Sequence, residues 1–142
     1  AKRSGMKTRI FVLLSDGECD EGSNWEAALL AAHLNLNNVC VLIDRNRMQS
    51  LGGTEETVRL EPLSEKWAAF GWDVKTLNGH DHSSLSDALN LPWEDNQRPL
   101  VLICETVKGF GVSFMEDSIV WHYRPPSGED LKRAIIELGD FE

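Results

Sequence analysis

The chain has 142 residues, with 14 Lys and Arg against 23 Asp and Glu and a formal net charge of −9. That length suits one domain able to bury a core without staples, and the acidic balance argues against a broad nucleic-acid or anionic-membrane surface, since both reward clustered Lys and Arg. No apolar run approaches the ~20 residues of a membrane-spanning helix, and residues 1–15 lack the layout of a signal peptide.

The opening AKRSGMKTRIFVLL reads as the tail of a helix running into a strand, and it suggests that an N-terminal stretch belongs before it. Four apolar runs rich in Val, Ile and Leu, at Arg9–Ser15, Val39–Asp44, Trp72–Leu77 and Leu100–Glu105, predict strands buried on both faces. Between them the period becomes helical. Ser23-Asn24-Trp25-Glu26 has the form of a capping box, followed by Trp25, Ala28, Leu29, Ala32 and Leu36 on one face. Pro62 can start a second helix that Gly71 ends, Ser83 or Ser84 can cap a third that stops before Pro92, and Glu129 to Leu138 gives a fourth closed by Gly139. Alternating strands and helices predict an α/β domain, a parallel sheet with helices on both faces.

Cys19, Cys40 and Cys104 are widely spaced and form no C-x-x-C pair, so neither a disulfide framework nor a zinc site is indicated. Cys40 and Cys104 read as small core hydrophobes, and a reducing, cytoplasmic compartment follows. The long irregular stretches Arg45–Glu61 and Thr106–Gly128 each follow the C-terminal end of a predicted strand, where ligands bind in open α/β sheets.

The first strand ends in Ser15-Asp16-Gly17-Glu18, and the second runs out into Asp44-Arg45-Asn46-Arg47-Met48. Adjacent parallel strands would set these tips side by side. Asp16, the Asn46 amide oxygen and a carbonyl near Met48 then offer the hard oxygen ligands that Mg²⁺ or Ca²⁺ prefers, with phosphate oxygens completing the shell. The same residues read as readily as caps and turns, which short Asp-Gly and Asn-containing segments commonly supply. Arg45 and Arg47 read as a solvated, acid-paired couple rather than a phosphate patch, His80 as a structural residue of the turn before the third helix, and His33 as a partly exposed or satisfied helical histidine.

The segment SDGECDEGSNWEAALLAAHLNLNNVCVLIDRNRMQS resembles the thiamine-diphosphate fingerprint, in which an acidic Gly-Asp-Gly motif is followed at a fixed interval by Asn; here Asp16 and Asn46 stand 30 residues apart. The likeness continues through GWDVKTLNGHD, ETVKGFGVSFMED and VWHYRPPSGEDLKRA, covers nearly the whole chain, and is closest to the N-terminal, diphosphate-binding subunit of split transketolases. It implies a thiamine-diphosphate-binding fold over residues 1–142, as the C-terminal part of such a module. It also implies metal ligation by Asp16, Asn46 and the Met48 carbonyl, and cofactor contacts from Ser15, Asp16, Gly17, Glu21, Asn46 and His122. His122 and Glu21 take catalytic roles in that scheme, His122 near diphosphate and substrate and Glu21 in linking paired active sites.

The resemblance further implies transfer of a two-carbon ketol unit between sugar phosphates, a pyrimidine-binding C-terminal partner subunit, and assembly as a homodimer or heterotetramer. Other thiamine-diphosphate enzymes, such as a 2-oxo-acid dehydrogenase component or a deoxyxylulose-phosphate-synthase-like protein, and a non-catalytic assembly protein remain as alternatives. One departure stands out: the family pattern has Gly where this chain has Ser15. If that position needs φ > 0, serine costs about 1 kcal/mol, and its hydroxyl could instead donate to a phosphate oxygen.

Overall fold

The computed structural model describes residues 1–90 and 97–139. In chain order the elements are a 3₁₀ turn Lys2–Ser4, β1 (Ile10–Ser15), a 3₁₀ turn Gly17–Asp20, α1 (Gly22–His33), β2 (Val39–Arg45), β3 (Met48–Gln49), β4 (Gly52–Gly53), α2 (Thr54–Thr57), α3 (Leu63–Ala69), β5 (Asp73–Asn78), α4 (His82–Leu89), β6 (Leu100–Glu105), α5 (Val120–Tyr123) and α6 (Glu129–Leu138). The four long strands form one sheet in the order β1-β2-β6-β5, each neighbouring pair parallel. All four C-terminal tips therefore emerge at the same edge. β3 and β4 make a separate antiparallel pair within the stretch after β2.

The alternation of side chains along a strand divides the core in two. Val41, Ile43, Val101 and Ile103 face a cluster with Ala28 and Ala31 of α1, and Leu63 and Trp67 of α3. Cys40, Leu100, Leu102 and Cys104 face the other way, onto Ala88 of α4. The expected α/β sandwich is thus present, with both cysteines acting as buried apolar residues. An aromatic group braces the first face: Trp25 lies 5.3 Å from both Trp67 and Phe70, and Trp67 meets Trp72 edge-on at 4.9 Å. The Trp72 Nε1–H donates to the Ala28 carbonyl at 2.9 Å, stitching the start of β5 to α1.

Several expectations from the sequence need correction. The apolar run of β1 predicts cover on both faces, yet β1 is an edge strand among the described residues, and its Ile10, Phe11, Val12 and Leu13 are exposed, Leu13 at 73 %. An apolar run fixes that a strand forms; it does not fix how many neighbours cover it. The Ser23 capping box does not form: α1 starts at Gly22 with Glu21 at the N-cap and no side-chain cap bond. Asn24 and Trp25 instead donate back to the carbonyls of Glu18 and Cys19, at 2.7 Å each. Helix α4 is capped by Asp81, which accepts from the Ser83 and Ser84 N–H groups, because a carboxylate just ahead of the serines reaches the same free donors. The helix ends at Leu89 with Asn90 as its C-cap, which meets the expected stop before Pro92, itself outside the described residues. Pro62 is the N-cap of α3 rather than its first residue.

Candidate functional site

Register brings the strand tips into line. Ser15 pairs with Asp44, Arg45 with Glu105, and Asn78 with Glu105, so the residues just beyond them share one edge. Ser15 ends β1 without a positive φ, so the conformational cost of a serine at a left-handed position does not arise. Its hydroxyl is engaged locally: Ser15 N–H and Oγ–H donate to Glu18 Oε2 at 2.7 and 3.1 Å, and Glu18 N–H donates to Ser15 Oγ at 3.2 Å.

Asp16 is completely buried. Its Oδ1 accepts from Gly17 N–H at 2.8 Å, and its Oδ2 accepts from Arg47 N–H at 2.6 Å and from Arg45 Nη1 at 3.0 Å. Burial pushes the carboxyl up, while these three donors pull against it. Every hydrogen-bond neighbour is a donor, so the geometry is that of an ionised carboxylate.

Arg45 overturns the expectation of a solvated pair. Only 2 % of its side chain is exposed, and it sits among Asp16, Glu55 and Glu61. Nη1 donates to Asp16 Oδ2 and to Thr54 Oγ1 (2.7 Å), Nη2 to Glu55 Oε1 (3.2 Å) and Glu61 Oε1 (2.9 Å), and Nε to Glu61 Oε1 (3.3 Å). Burial works against the guanidinium charge, and the bonds to Glu61 and Asp16 outweigh it, so the group is held above its ordinary value. The signal lies in the alternation of β2: Arg45 shares the inward face of Val41 and Ile43, and an inward arginine requires acids. Arg47 keeps the expected solvated pairing, with Glu105 at 2.9 Å. Its backbone carries a feature that no sequence signal marks: φ is +66°, a left-handed turn that aims its N–H at Asp16.

Asn46, also buried, accepts at Oδ1 from Met48 N–H at 3.0 Å. The turn after β2 folds back on the first tip. A Cβ on Gly17 would lie 3.0 Å from that of Gln49, and Gln49 Nε2–H donates to Asp20 Oδ2 at 2.9 Å. Asp20 Oδ1 is buried without a partner. Among the described residues no group of three His, Cys, Asp or Glu side chains could hold a metal. A cation here would rely on one carboxylate, an amide oxygen and main-chain carbonyls. That all-oxygen set, with one carboxylate oxygen of Asp20 unpartnered nearby in the chain, fits a hard divalent cation and its phosphate ligand. Soft ligation is disfavoured, since burial first and then the nearby Asp16 push the Cys19 thiol up to about 12.

A cleft of about 710 Å³ opens beside this tip, lined by Asn46, Arg47 and Met48 after β2 and by Asn78, His80 and Thr106 at the ends of β5 and β6. His80 is structural, and by more than its turn. Its Nε2 accepts from Val107 N–H at 2.8 Å and its ring stacks on Phe110 at 3.8 Å, which anchors the segment after β6. Gly79 permits this approach, because a Cβ there would lie 2.5 Å from Thr106 Cγ2.

The structure therefore gathers Ser15, Asp16, Gly17, Asn46 and Met48. Glu21 is exposed at the N-cap of α1. His122 is exposed on α5 and lines a different depression with Met115 and Pro126. The Tyr123 hydroxyl, next along, donates to the Ser50 carbonyl and ties α5 to the β3–β4 turn.

A parallel sheet whose adjacent tips present a buried carboxylate, a side-chain amide and inward-turned N–H groups defines a cofactor-binding α/β domain. The chain matches the family described as transketolase, thiamine diphosphate binding domain, over residues 3–140, and it belongs to that family. It is 44 % identical over 140 residues to a protein of Actinobacillus succinogenes named as an apulose-4-phosphate transketolase subunit, covering 99 % of this chain and 50 % of the relative. It is 37 % identical to the 6-deoxy-6-sulfo-D-fructose transketolase subunit SqwG of a Clostridium species, covering 94 % of this chain and 48 % of that protein. The transketolase structure from Campylobacter jejuni superposes with a TM-score of 0.85 at 27 % identity, over 94 % of this chain and 21 % of that one. The chain thus spans about half the length of the curated relatives it matches. No helix among the described residues is long and apolar enough to cross a membrane.

Proposed function

We propose that this chain supplies the diphosphate- and metal-binding part of a transketolase-type transferase, which moves a two-carbon ketol unit from a ketose phosphate to an aldose phosphate. The observation that carries the reading is the fully buried, three-donor carboxylate of Asp16, set beside Asn46 by the β1–β2 register. Thiamine diphosphate, when bound, supplies the electron sink for breaking a carbon–carbon bond next to a carbonyl. The residues here do the holding: Asp16, the Asn46 amide and the Met48 carbonyl are the ligands for Mg²⁺ or Ca²⁺. Gly17 and Asn46 approach the diphosphate, and Ser15 holds the turn through Glu18. His122 and Glu21 act toward substrate and toward a neighbouring site only after assembly, which accords with their exposure.

Residues 1–142 form one part of a larger cofactor-binding module, completed by a pyrimidine-binding subunit in a homodimer or heterotetramer. Two relatives are named as transketolase subunits, which supports a split arrangement. Three buried, free thiols accord with a reducing, cytoplasmic setting. Calorimetric titration with Mg²⁺ and thiamine diphosphate tests the reading: the native chain should bind and gain thermal stability, and Asp16→Ala should do neither. Unchanged binding by Asp16→Ala would remove Asp16 from the site. Absence of binding and of turnover even with a pyrimidine-binding subunit would favour a non-catalytic assembly role.

A further inference from the structure

Arg45 ends β2 and directs its side chain inward, where five N–H groups meet five acceptor contacts on Asp16, Thr54, Glu55 and Glu61. The guanidinium is planar, so the directions of its N–H groups are fixed relative to one another. The oxygen of Asp16 at one end and that of Glu61 at the other are consequently linked through one rigid plane. The acids also serve the backbone beyond: Glu55 Oε1 accepts from Leu60 N–H at 3.1 Å, and Glu61 Oε2 from Leu63 N–H at 2.8 Å. At the site end, Oδ2 of Asp16 already accepts from Arg45 and from Arg47 N–H, which leaves Oδ1, with the single Gly17 donor, as the oxygen with acceptor capacity to spare.

We propose that Arg45 is a positioning residue that orients Asp16 and mechanically joins it to segment 54–63, so that occupancy of Asp16 by a divalent cation and ordering of that segment are coupled. The inference deepens the proposed function and rests on Asp16 being a cation ligand. A cation that fixes Asp16 reduces the motion open to the guanidinium, and through it the motion of Glu55 and Glu61. The amides of Leu60, Glu61 and Leu63 report on that motion directly, because each donates to one of these two acids.

The test is hydrogen exchange on the whole chain with and without Mn²⁺, with Mn²⁺ binding followed in parallel by calorimetry. In the native protein Mn²⁺ should slow exchange at 60–63 by at least about threefold. Arg45→Lys, which keeps a charge and can still reach Asp16 but cannot span to Glu61, should bind Mn²⁺ and lose the slowing. Glu61→Gln weakens the far end of the same linkage and should lose most of it, which keeps the test open should Arg45→Lys fold poorly. Thr54→Val, which perturbs packing but leaves the line from Asp16 to Glu61 intact, should keep it. Slowing that persists in full in Arg45→Lys or Glu61→Gln, or is lost in Thr54→Val, would overturn the coupling. So would Mn²⁺ binding to the native chain with no slowing. No Mn²⁺ binding by the native chain, alone or with thiamine diphosphate, would fail the cation reading of Asp16 itself and take the coupling with it.

Discussion

The two regions that carry candidate residues are built in opposite ways. Asp16, Arg45 and Thr54 are buried, Glu55 and Glu61 close the outer side of the cluster, and every N–H of the guanidinium has an acceptor. Around His122 the chain is exposed, the helix is a single turn, and what holds it is the Tyr123 hydroxyl on Ser50 and the Trp121 Nε1–H on the Phe114 carbonyl at 2.9 Å. The first arrangement suits the proposed role of Asp16 as a cation ligand, because flexible ligands lose entropy on binding. A residue that meets a substrate, or a second protein chain, can be fixed by that encounter. The contrast is therefore between a cluster whose groups fix one another and an exposed turn held at two points.

The largest effect expected from breaking that contrast belongs to Arg45→Met. It leaves the buried Asp16 carboxylate without its cation and should cost about 3–5 kcal/mol, read as a lower midpoint in urea. Next comes Gly79→Ala, whose Cβ would collide with Thr106 and displace the tip of β6. A loss of about 1–3 kcal/mol is expected, together with a shifted His80–Phe110 signature in aromatic NMR. Glu61→Gln should matter less, because half of that side chain is exposed and solvent screens its ion pair: about 0.5–1 kcal/mol.

Its pH dependence gives a sharper reading. The Leu63 N–H first, and then Arg45, hold the folded-state Glu61 carboxyl below the ordinary 4.5. The stability it contributes is thus complete above about pH 4.5 and is lost as pH falls through the lower folded value. The acid limb of a stability profile should be shallower in Glu61→Gln. The smallest effect is that of His122→Ala, within about 0.5 kcal/mol in thermal unfolding, as for a surface residue without buried partners. A loss above about 2 kcal/mol would show that α5 is held as firmly as the Asp16 cluster.

How far the sequence reaches depends on the kind of signal. Strands β2 and β6 are runs of Val, Leu, Ile and Cys, and their existence as strands follows from composition, while their burial on both faces comes from central places in the sheet. β1 carries a run of the same kind and yet lies at an edge, since no local pattern records the number of neighbouring strands. Asp16, Asn46 and Met48 are legible as a group because two strand tips in parallel register must adjoin. Arg45 is hard to read because its partners lie in a separate stretch, at Glu55 and Glu61, and only the inward parity of β2 points to it. The Ser23 capping box fails for a related reason. The chain turns early at Asp16 and Gly17, and Asn24 and Trp25 bond back to that turn, so the helix begins before its apparent cap.

β1 has a consequence for the behaviour of the chain in solution. An edge strand offers backbone donors and acceptors along one side, and Ile10 to Leu13 add apolar side chains on both faces without an intervening Lys, Glu or Pro. Proteins commonly blunt such edges with charge, a bulge or a cover to avoid templated pairing with other chains. Within Ile10–Leu13 there is no charged residue or proline, so Leu13, 73 % exposed, is expected to weigh on the colloidal stability of the isolated chain. Leu13→Lys should suppress self-association, read by light scattering, while leaving the Asp16 cluster beyond the end of the strand unchanged.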